Sequence, residues 1–166
     1  MRRAVPPSRR AEFFNADQIQ YLSTDEIHAK LRDPEFDLRS VLLLPHDSRS
    51  TEGSAVSAKS NVNSTVGYRR PDSDHIECTV MTERSGYLRI IESWDPGWSA
   101  TMDGSTVPIV PALDALLAVP ISPGRHEVRF TYRTPGTSLG RTISIISLVL
   151  LCGLIWISGW KQQRQR

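Results

Sequence analysis

The amino-acid sequence predicts a mainly β protein: an antiparallel β-sandwich with a short N-terminal helix and one C-terminal transmembrane helix. In RHEVRFTYR (125–133), apolar and polar residues alternate, which is typical of an antiparallel sheet covered on one side. Short strand-like stretches with turn residues between them, including the hairpin dipeptide Asp103-Gly104, follow at close spacing. The uncharged run TISIISLVLLCGLIWISGW (142–160) predicts the membrane helix.

The chain divides into four predicted parts. Residues 1–20, which begin with a basic and Pro-rich stretch, are expected to form a connector. The β-sandwich domain is predicted over 21–138 and the transmembrane helix over 139–160. Residues 161–166 form a basic tail that we expect to be cytoplasmic.

Local signals define the elements of the domain. Ser23 and Glu26 have the spacing of a capping box, which predicts a short helix near 24–32. The apolar stretch LRSVLLLP (38–45) predicts a strand, and the Ser-rich residues 46–60 predict a loop. Further strands are predicted at 75–82, 86–93, 99–102, 105–110, 116–121 and 125–133.

The apolar run near the C-terminus has the length of a membrane span. As a helix, Ile143 to Trp160 would be about 27 Å long, close to the hydrocarbon thickness of about 30 Å. Trp156, Trp160 and Lys161 are the predicted interfacial anchors. A buried core helix is the alternative, but the run offers no polar face to water. A stripe of small residues suggests packing against other membrane helices, although a membrane helix also tolerates single serines that bond back to a backbone carbonyl; the stripe comprises Gly140, Ser144, Ser147 and Ser158.

The charges around this helix predict its orientation. The tail KQQRQR carries three positive charges and no negative ones, which places the C-terminus in the cytoplasm and the sandwich outside. The N-terminal MRRAVPPSRRAEFF lacks the apolar region of a signal peptide, however, and a tail-anchored chain would leave its domain in the cytoplasm. The two inferences agree if the chain is the end of a longer polytopic protein in the cell membrane.

Composition excludes several classes of function. The net charge of +2, with basic and acidic residues interspersed, gives no basic stripe for nucleic acid. No His/Cys cluster has metal-ligand spacing, and neither GxxxxGK[ST] nor GxGxxG occurs, so we predict no cofactor and no metal site. Cys78 and Cys152 lie far apart in the sequence, and a disulfide between them is not expected.

The stretch SWDPGWSATMDG (93–104) contains the candidate binding residues. Trp94, Trp98 and Tyr87 are candidates for stacking on the face of a carbohydrate, although large aromatic rings beside a turn also serve as packing. We interpret the stretch as a strand, a Pro-Gly corner, a strand and a hairpin turn, with the tryptophans chiefly in packing roles.

No residue is assigned a catalytic role. Glu92, Asp95 and Asp103 are close in sequence, but a glycosidase pair needs a defined separation and divergent pKa values, which the sequence does not reveal. Asp103 is explained by its turn. His126 lies on the apolar face of its strand, where a structural role is expected, and no order of Ser, His and Asp residues indicates a hydrolase.

A family resemblance is carried by Pro96-Gly97-Trp98, by the Asp103-Gly104 hairpin and by the strands on either side of Gly124. From about residue 20 to 160, and most specifically over 85–150, the chain resembles the C-terminal end of the YfhO family of bacterial membrane proteins. That family shows a strand, a PGW turn, a W-x-A-x-V-D-G hairpin, the strand pair a-x-V-P-x-G-x-H-x-V-x-F-x-Y and a final membrane helix. The upstream stretch LRDPEFDLRSVLLL (31–44) is similar to the helix exit and strand of the family. The matching residues are Pro96, Gly97, Trp98, Ala100, Asp103, Gly104, Val119, Pro120, Gly124, His126, Val128, Phe130 and Tyr132.

The resemblance implies a polytopic protein related to GT-C glycosyltransferases, which transfer sugar from a lipid-phosphate carrier outside the membrane. In that class the catalytic acidic residues lie in an early extracytoplasmic loop, so the resemblance gives no catalytic residue here. The first hypothesis is therefore a non-catalytic domain and last membrane helix, a fragment or split partner of such a transferase. The alternative is a free-standing single-pass protein that binds envelope glycan or lipid-linked sugar, and a third is a small envelope enzyme.

Overall fold

The computed structural model describes residues 10–48, 64–136, 140 and 142–153, and the chain separates into the units Met1–Arg133 and Thr134–Arg166. The described part of the first unit is built from strands, one α-helix and two short 3-10 helices. The strands are β1 (Ala11–Asn15), β2 (Ile19–Leu22), β3 (Leu42–Pro45), β4 (Thr65–Arg69), β5 (His75–Thr82), β6 (Gly86–Ser93), β7 (Trp98–Met102), β8 (Ser105–Val107), β9 (Val110–Ala112), β10 (Leu116–Ile121) and β11 (Gly124–Tyr132). The α-helix is α1 (Thr24–Leu31), and the 3-10 helices are Ala16–Gln18 and His46–Ser48.

Two antiparallel sheets contain most of the strands. The four-stranded sheet has the order β1-β6-β10-β9, and the five-stranded sheet has the order β4-β5-β11-β7-β8. A small third sheet pairs β2 with β3 in parallel. The prediction of a mainly β fold with antiparallel sheets is confirmed.

The two large sheets share one apolar core, as the alternating patterns of their strands require. Alternate side chains of most of these strands point into this core. The four-stranded sheet contributes Ala11, Leu88, Ile90, Leu117, Val119 and Ile121, and the five-stranded sheet contributes Ile76, Cys78, Val80, Ala100, Val128 and Phe130.

The four-stranded sheet is also covered on its other face. There Phe14, Tyr87 and Ala118 pack against Leu42 and Leu44 of β3. Beyond β3, Ile27 of α1 packs against Leu43 and Leu113. Because both of its faces are covered, β6 is buried from its first residue to Ile90, and it lacks the polar alternation of a half-exposed strand.

The helix α1 confirms the capping prediction. The Ser23 hydroxyl accepts the N–H of Glu26, and the Glu26 carboxylate accepts the N–H of Ser23 at 2.8 Å. This bonding satisfies two otherwise unpaired donors of the helix start and holds the pKa of Glu26 below its ordinary value.

Four expectations differ from the structure. The strand predicted over 105–110 is divided into β8 of the five-stranded sheet and β9 of the four-stranded sheet. Residues 11–20, assigned to the connector, form β1, a 3-10 turn and the start of β2, because Phe14 finds an apolar partner surface that is remote in sequence. The strand predicted over 38–45 begins only at Leu42. The strand pair of the family pattern is divided, since β10 belongs to the four-stranded sheet and β11 to the five-stranded sheet.

In the second unit, residues 142–153 are helical and expose large apolar side chains on all sides, from Ile143 to Leu151. Among the described residues, no helix is both long enough and apolar enough to span a membrane. The transmembrane helix over 139–160 thus stays a prediction, and Trp156, Trp160 and Lys161 lie outside the described residues.

Candidate functional site

The corner between β6 and β7 is built by Asp95 and Gly97. The Asp95 carboxylate accepts the N–H of Gly97 at 2.7 Å, and its carbonyl oxygen accepts the N–H of Trp98 at 3.0 Å. A Cβ at Gly97 would lie 2.5 Å from the carbonyl oxygen of Arg133 and 2.7 Å from the ring of Tyr132. The interpretation of SWDPGWSATMDG as strand, corner, strand and hairpin is correct, and the glycine is required by this close approach.

The two tryptophans of the corner have different environments. Trp98 is half-buried against the sandwich core, and its ring centroid lies 5.2 Å from that of Tyr132 in a tilted arrangement. This geometry is that of a packed aromatic pair. Trp94 is 43% exposed, and its backbone N–H donates to the carbonyl oxygen of Ala115 at 2.7 Å. Trp94 therefore has ring surface available for a ligand, and Trp98 has less.

Tyr87 does not join Trp94 in a common platform. It is only 5% exposed, it packs on the β3 side of the four-stranded sheet, and its hydroxyl donates to the carbonyl oxygen of Ser48 at 3.1 Å. Tyr87 and Trp94 are seven positions apart in the sequence, which along an extended strand corresponds to about 23 Å. Its ring is therefore a core element with a hydrogen-bonded hydroxyl, which leaves the more exposed Trp94 as the stronger candidate for stacking and the half-buried Trp98 as the weaker one.

The three candidate carboxylates each have a local partner. Glu92 forms an ion pair with Arg70, whose guanidinium also donates to the carbonyl oxygens of Asp72 and Ser73. The Asp95 carboxylate closes its own turn. Burial is the main cause that raises the pKa of the Tyr132 phenol, and the negative charge of Asp95 adds to it. These contacts give Glu92 a structural role at the end of its strand and Asp95 a structural role in its turn.

Asp103 and His126 form a compact polar cluster at the tip of the β7–β8 hairpin. Asp103 and Gly104 both have positive φ, 52° and 85°, as a type I′ turn requires. The Asp103 carboxylate accepts the backbone N–H of Glu127 at 2.8 Å and faces His126 Nδ1 at 2.6 Å. These contacts lower the pKa of Asp103, the backbone N–H of Glu127 being the larger cause. Sequence reasoning placed Asp103 in its turn and His126 on its strand but gave no signal that the two side chains meet.

Within the described ranges, no group of three or more His, Cys, Asp or Glu side chains is arranged to hold a metal ion. The buried thiol of Cys78 lies in the sandwich core, where burial raises its pKa to about 12. At neutral pH this cysteine is a packing residue and a poor nucleophile.

Fold and side-chain clusters together define a class of protein: an antiparallel β-sandwich domain that is followed in sequence by an apolar helix. Residues 51–144, more than half of the chain, match the family described as bacterial membrane protein YfhO. The chain belongs to this family. No curated protein and no solved structure matches it.

Proposed function

We propose that this chain is the extracytoplasmic, non-catalytic β-sandwich and last membrane helix of a YfhO-like protein. It would act as a fragment or split partner of a lipid-carrier-dependent sugar transferase of the cell envelope, bracing the membrane part or guiding a glycan acceptor. The family match over residues 51–144 carries the proposal, since that family is one of bacterial membrane proteins. The glycosyltransferase-like role comes from the resemblance of the whole family to GT-C enzymes.

The second unit supports the membrane part of the proposal. Its helical residues 142–153 carry no charged side chain and expose Ile, Leu and Val on every side, a composition suited to lipid. Continued through residues 154–160, the apolar run would reach Trp156 and Trp160 at an interface, with Lys161 just beyond. The positive tail then favours a cytoplasmic C-terminus and an external sandwich.

Thiol labelling in intact cells tests this topology. In a Cys152→Ser background, a cysteine at the exposed hairpin position Ser105 (Ser105→Cys) should react with a membrane-impermeant maleimide added to spheroplasts. The matched variant Arg166→Cys should react only after lysis. The buried Cys78 should not interfere. Labelling of Ser105→Cys only after lysis, or of Arg166→Cys before it, would overturn the orientation.

The neighbouring reading frame tests the split-partner hypothesis. An adjacent upstream frame that encodes many membrane helices, and whose product purifies together with this chain, would support it. Recovery of this chain alone from mild detergent, with such a partner present in the same cells, would count against it.

A second candidate function is carbohydrate binding by Trp94, which is favoured by the exposure of its ring at the end of β6. Stacking of an aromatic ring on a sugar changes tryptophan emission, so the full chain can be titrated with cell-wall fragments. Trp94→Phe should abolish the change, whereas Trp98→Phe should keep it because Trp98 packs against Tyr132. An emission spectrum that stays constant through the titration rules out this candidate.

A further inference from the structure

His126 contacts both the β7–β8 hairpin and the loop that connects the two large sheets. Its Nδ1 lies 2.6 Å from a carboxylate oxygen of Asp103, at the tip of the β7–β8 hairpin. Its Nε2 lies 3.2 Å from the Ser122 hydroxyl and 3.4 Å from the carbonyl oxygen of Pro123, in the loop between β10 and β11. The imidazole side chain is only 14% exposed.

The loop packs closely on the imidazole. Gly124 has φ +130°, and a Cβ there would lie 3.2 Å from Nε2 of His126. A larger residue would therefore be strained at this position and would also crowd the ring. The glycine allows the loop to cross from one sheet to the other directly over the histidine.

The partners of the two ring nitrogens favour the charged imidazolium. Nδ1 faces a carboxylate, and Nε2 faces a carbonyl oxygen, and both of these groups only accept hydrogen bonds. The Ser122 hydroxyl can accept from the charged ring or donate to a neutral one. Ser122, His126 and Asp103 lie in the spatial order of a hydrolase triad, but the charged ring carries a proton at Nε2 and in that state cannot take the proton of a serine nucleophile.

We propose that His126 is a pH-dependent clasp that fastens the tip of the β7–β8 hairpin to the loop between β10 and β11. In the closed state the charged ring donates to Asp103 on one side and to the loop on the other. Loss of the proton from Nε2 leaves a nitrogen that can only accept, so its hydrogen bond to the carbonyl oxygen of Pro123 is lost and only the Ser122 hydroxyl can still donate to it. The hydrogen bond from Nδ1 to Asp103 also loses the assistance of the imidazolium charge, so the attachment weakens on both sides of the ring.

Asp103 is the charged group that faces the ring. From β5, the residue opposite His126 is the apolar Val80. On β11 itself, Arg125 and Glu127 are exposed and alternate to the other face of the strand. Protonation of the ring is therefore governed by Asp103 together with the acceptors of the loop.

These contacts fix the direction of the pH effect. The hydrogen bond to Asp103 is the main cause that raises the pKa of His126 above its ordinary value of 6.5. The stabilisation by the imidazolium is therefore complete below pH 6.5 and is lost as the pH rises through the raised pKa. The pKa of Asp103 is lowered from 3.8, so its contribution is lost only as the pH falls through that lowered pKa. The clasp is therefore closed at pH values between the lowered pKa of Asp103 and the raised pKa of His126.

An NMR titration of the histidine rings in the full chain, held in detergent micelles, tests the clasp. The resonance absent from His126→Gln identifies the residue. We expect a pKa above 6.5 in the wild type and a return towards 6.5 in Asp103→Asn. The matched control is Asp72→Asn, which removes the exposed partner of His75 and should leave His126 unchanged. A wild-type pKa at or below 6.5, or one that Asp103→Asn does not move, would overturn the proposal.

Hydrogen–deuterium exchange of the wild-type chain is the second measurement and needs no variant. After correction for the intrinsic pH dependence of exchange, the amides from Gly124 to Glu127 should lose protection with the midpoint of the His126 titration. The amides of β6, buried on both faces, should keep theirs. Constant corrected protection across that midpoint would show that the contact does not work as a clasp.

Discussion

The ion pair of Arg89 and Glu12 leads to the most specific stability prediction. Arg89 is 3% exposed on β6, and its guanidinium donates to the Glu12 carboxylate and, at 2.7 Å, to the carbonyl oxygen of Leu38. The guanidinium carbon lies 4.6 Å from the centre of the Phe14 ring. The Nε of Arg89 has no hydrogen-bond partner in the part of the chain that the structure describes. Burial lowers the pKa of the Arg89 guanidinium.

Replacing Glu12 by Gln removes the countercharge and leaves a cation enclosed by β1, β6 and the segment around Leu38. Loss of one partner of a buried pair costs about 3–5 kcal/mol. The Glu12 side chain is 23% exposed, so water can partly replace the lost carboxylate charge. We therefore expect the free energy of unfolding to fall by an amount near the lower limit, about 3 kcal/mol. With a urea dependence of about 1.5 kcal/mol per molar, the unfolding midpoint should fall by about 2 M.

The double variant Glu12→Gln/Arg89→Met separates charge from packing. Methionine keeps much of the arginine stem and removes the charge, so the double variant should be more stable than Glu12→Gln alone. The matched control is Glu77→Gln at the exposed pair with Arg69, where the side chains are 38% and 75% exposed. Glu77→Gln should lower the free energy of unfolding by less than about 1 kcal/mol.

Urea unfolding of the full chain in mild detergent, followed by tryptophan emission, measures all three variants. The reasoning is refuted if Glu12→Gln unfolds within about 1 kcal/mol of the wild type, below the cost of an uncompensated buried charge. It is equally refuted if the double variant is less stable than the single one, because removal of the cation would then bring no relief.

Three further predictions use the same chain. Gly97→Ala should destabilise it by about 1–3 kcal/mol because a methyl group would lie 2.5 Å from a carbonyl oxygen. Gly67→Ala, with its nearest neighbour at 3.8 Å, should be tolerated in urea unfolding, and equal losses for both glycines would contradict the packing argument. Ser23→Ala should cost about 1 kcal/mol through its lost cap, measured in the same way, and an unchanged midpoint would disprove that role. In a Cys152→Ser background, Cys78, whose pKa is raised to about 12, should react with iodoacetamide at pH 8 only after denaturation, and rapid modification of the folded chain would speak against its burial.

The sequence predicted what depends on near neighbours. The cap of α1, the Asp103-Gly104 turn, the corner at Gly97 and the limits of β5 and β6 follow from short patterns, and the structure agrees with them. In each of these, the stabilising partner lies within a few residues or is the regular alternation of a strand.

Contacts between distant segments could not be read from the sequence. The prediction of a connector around Phe14 is wrong because the apolar surface that buries this residue, on β3, lies almost thirty residues away in the sequence. Nothing in the sequence marks Arg89 as a buried residue, and it is buried because β3 and its neighbouring segments cover that face of β6. Likewise, Asp103 and His126 meet because β7 and β11 pair, and neither residue indicates that pairing by itself.

The place of β11 constrains how the domain is assembled during synthesis. The last strand of the sandwich lies in the middle of its sheet, between β5 and β7, rather than at an edge. Until the residues of β11 have been synthesised, β5 and β7 lack the strand that pairs with both of them. Their apolar faces therefore stay exposed. A nascent chain halted there should be a strong client for holding chaperones, and release should come only when the final nine residues of the sheet have emerged.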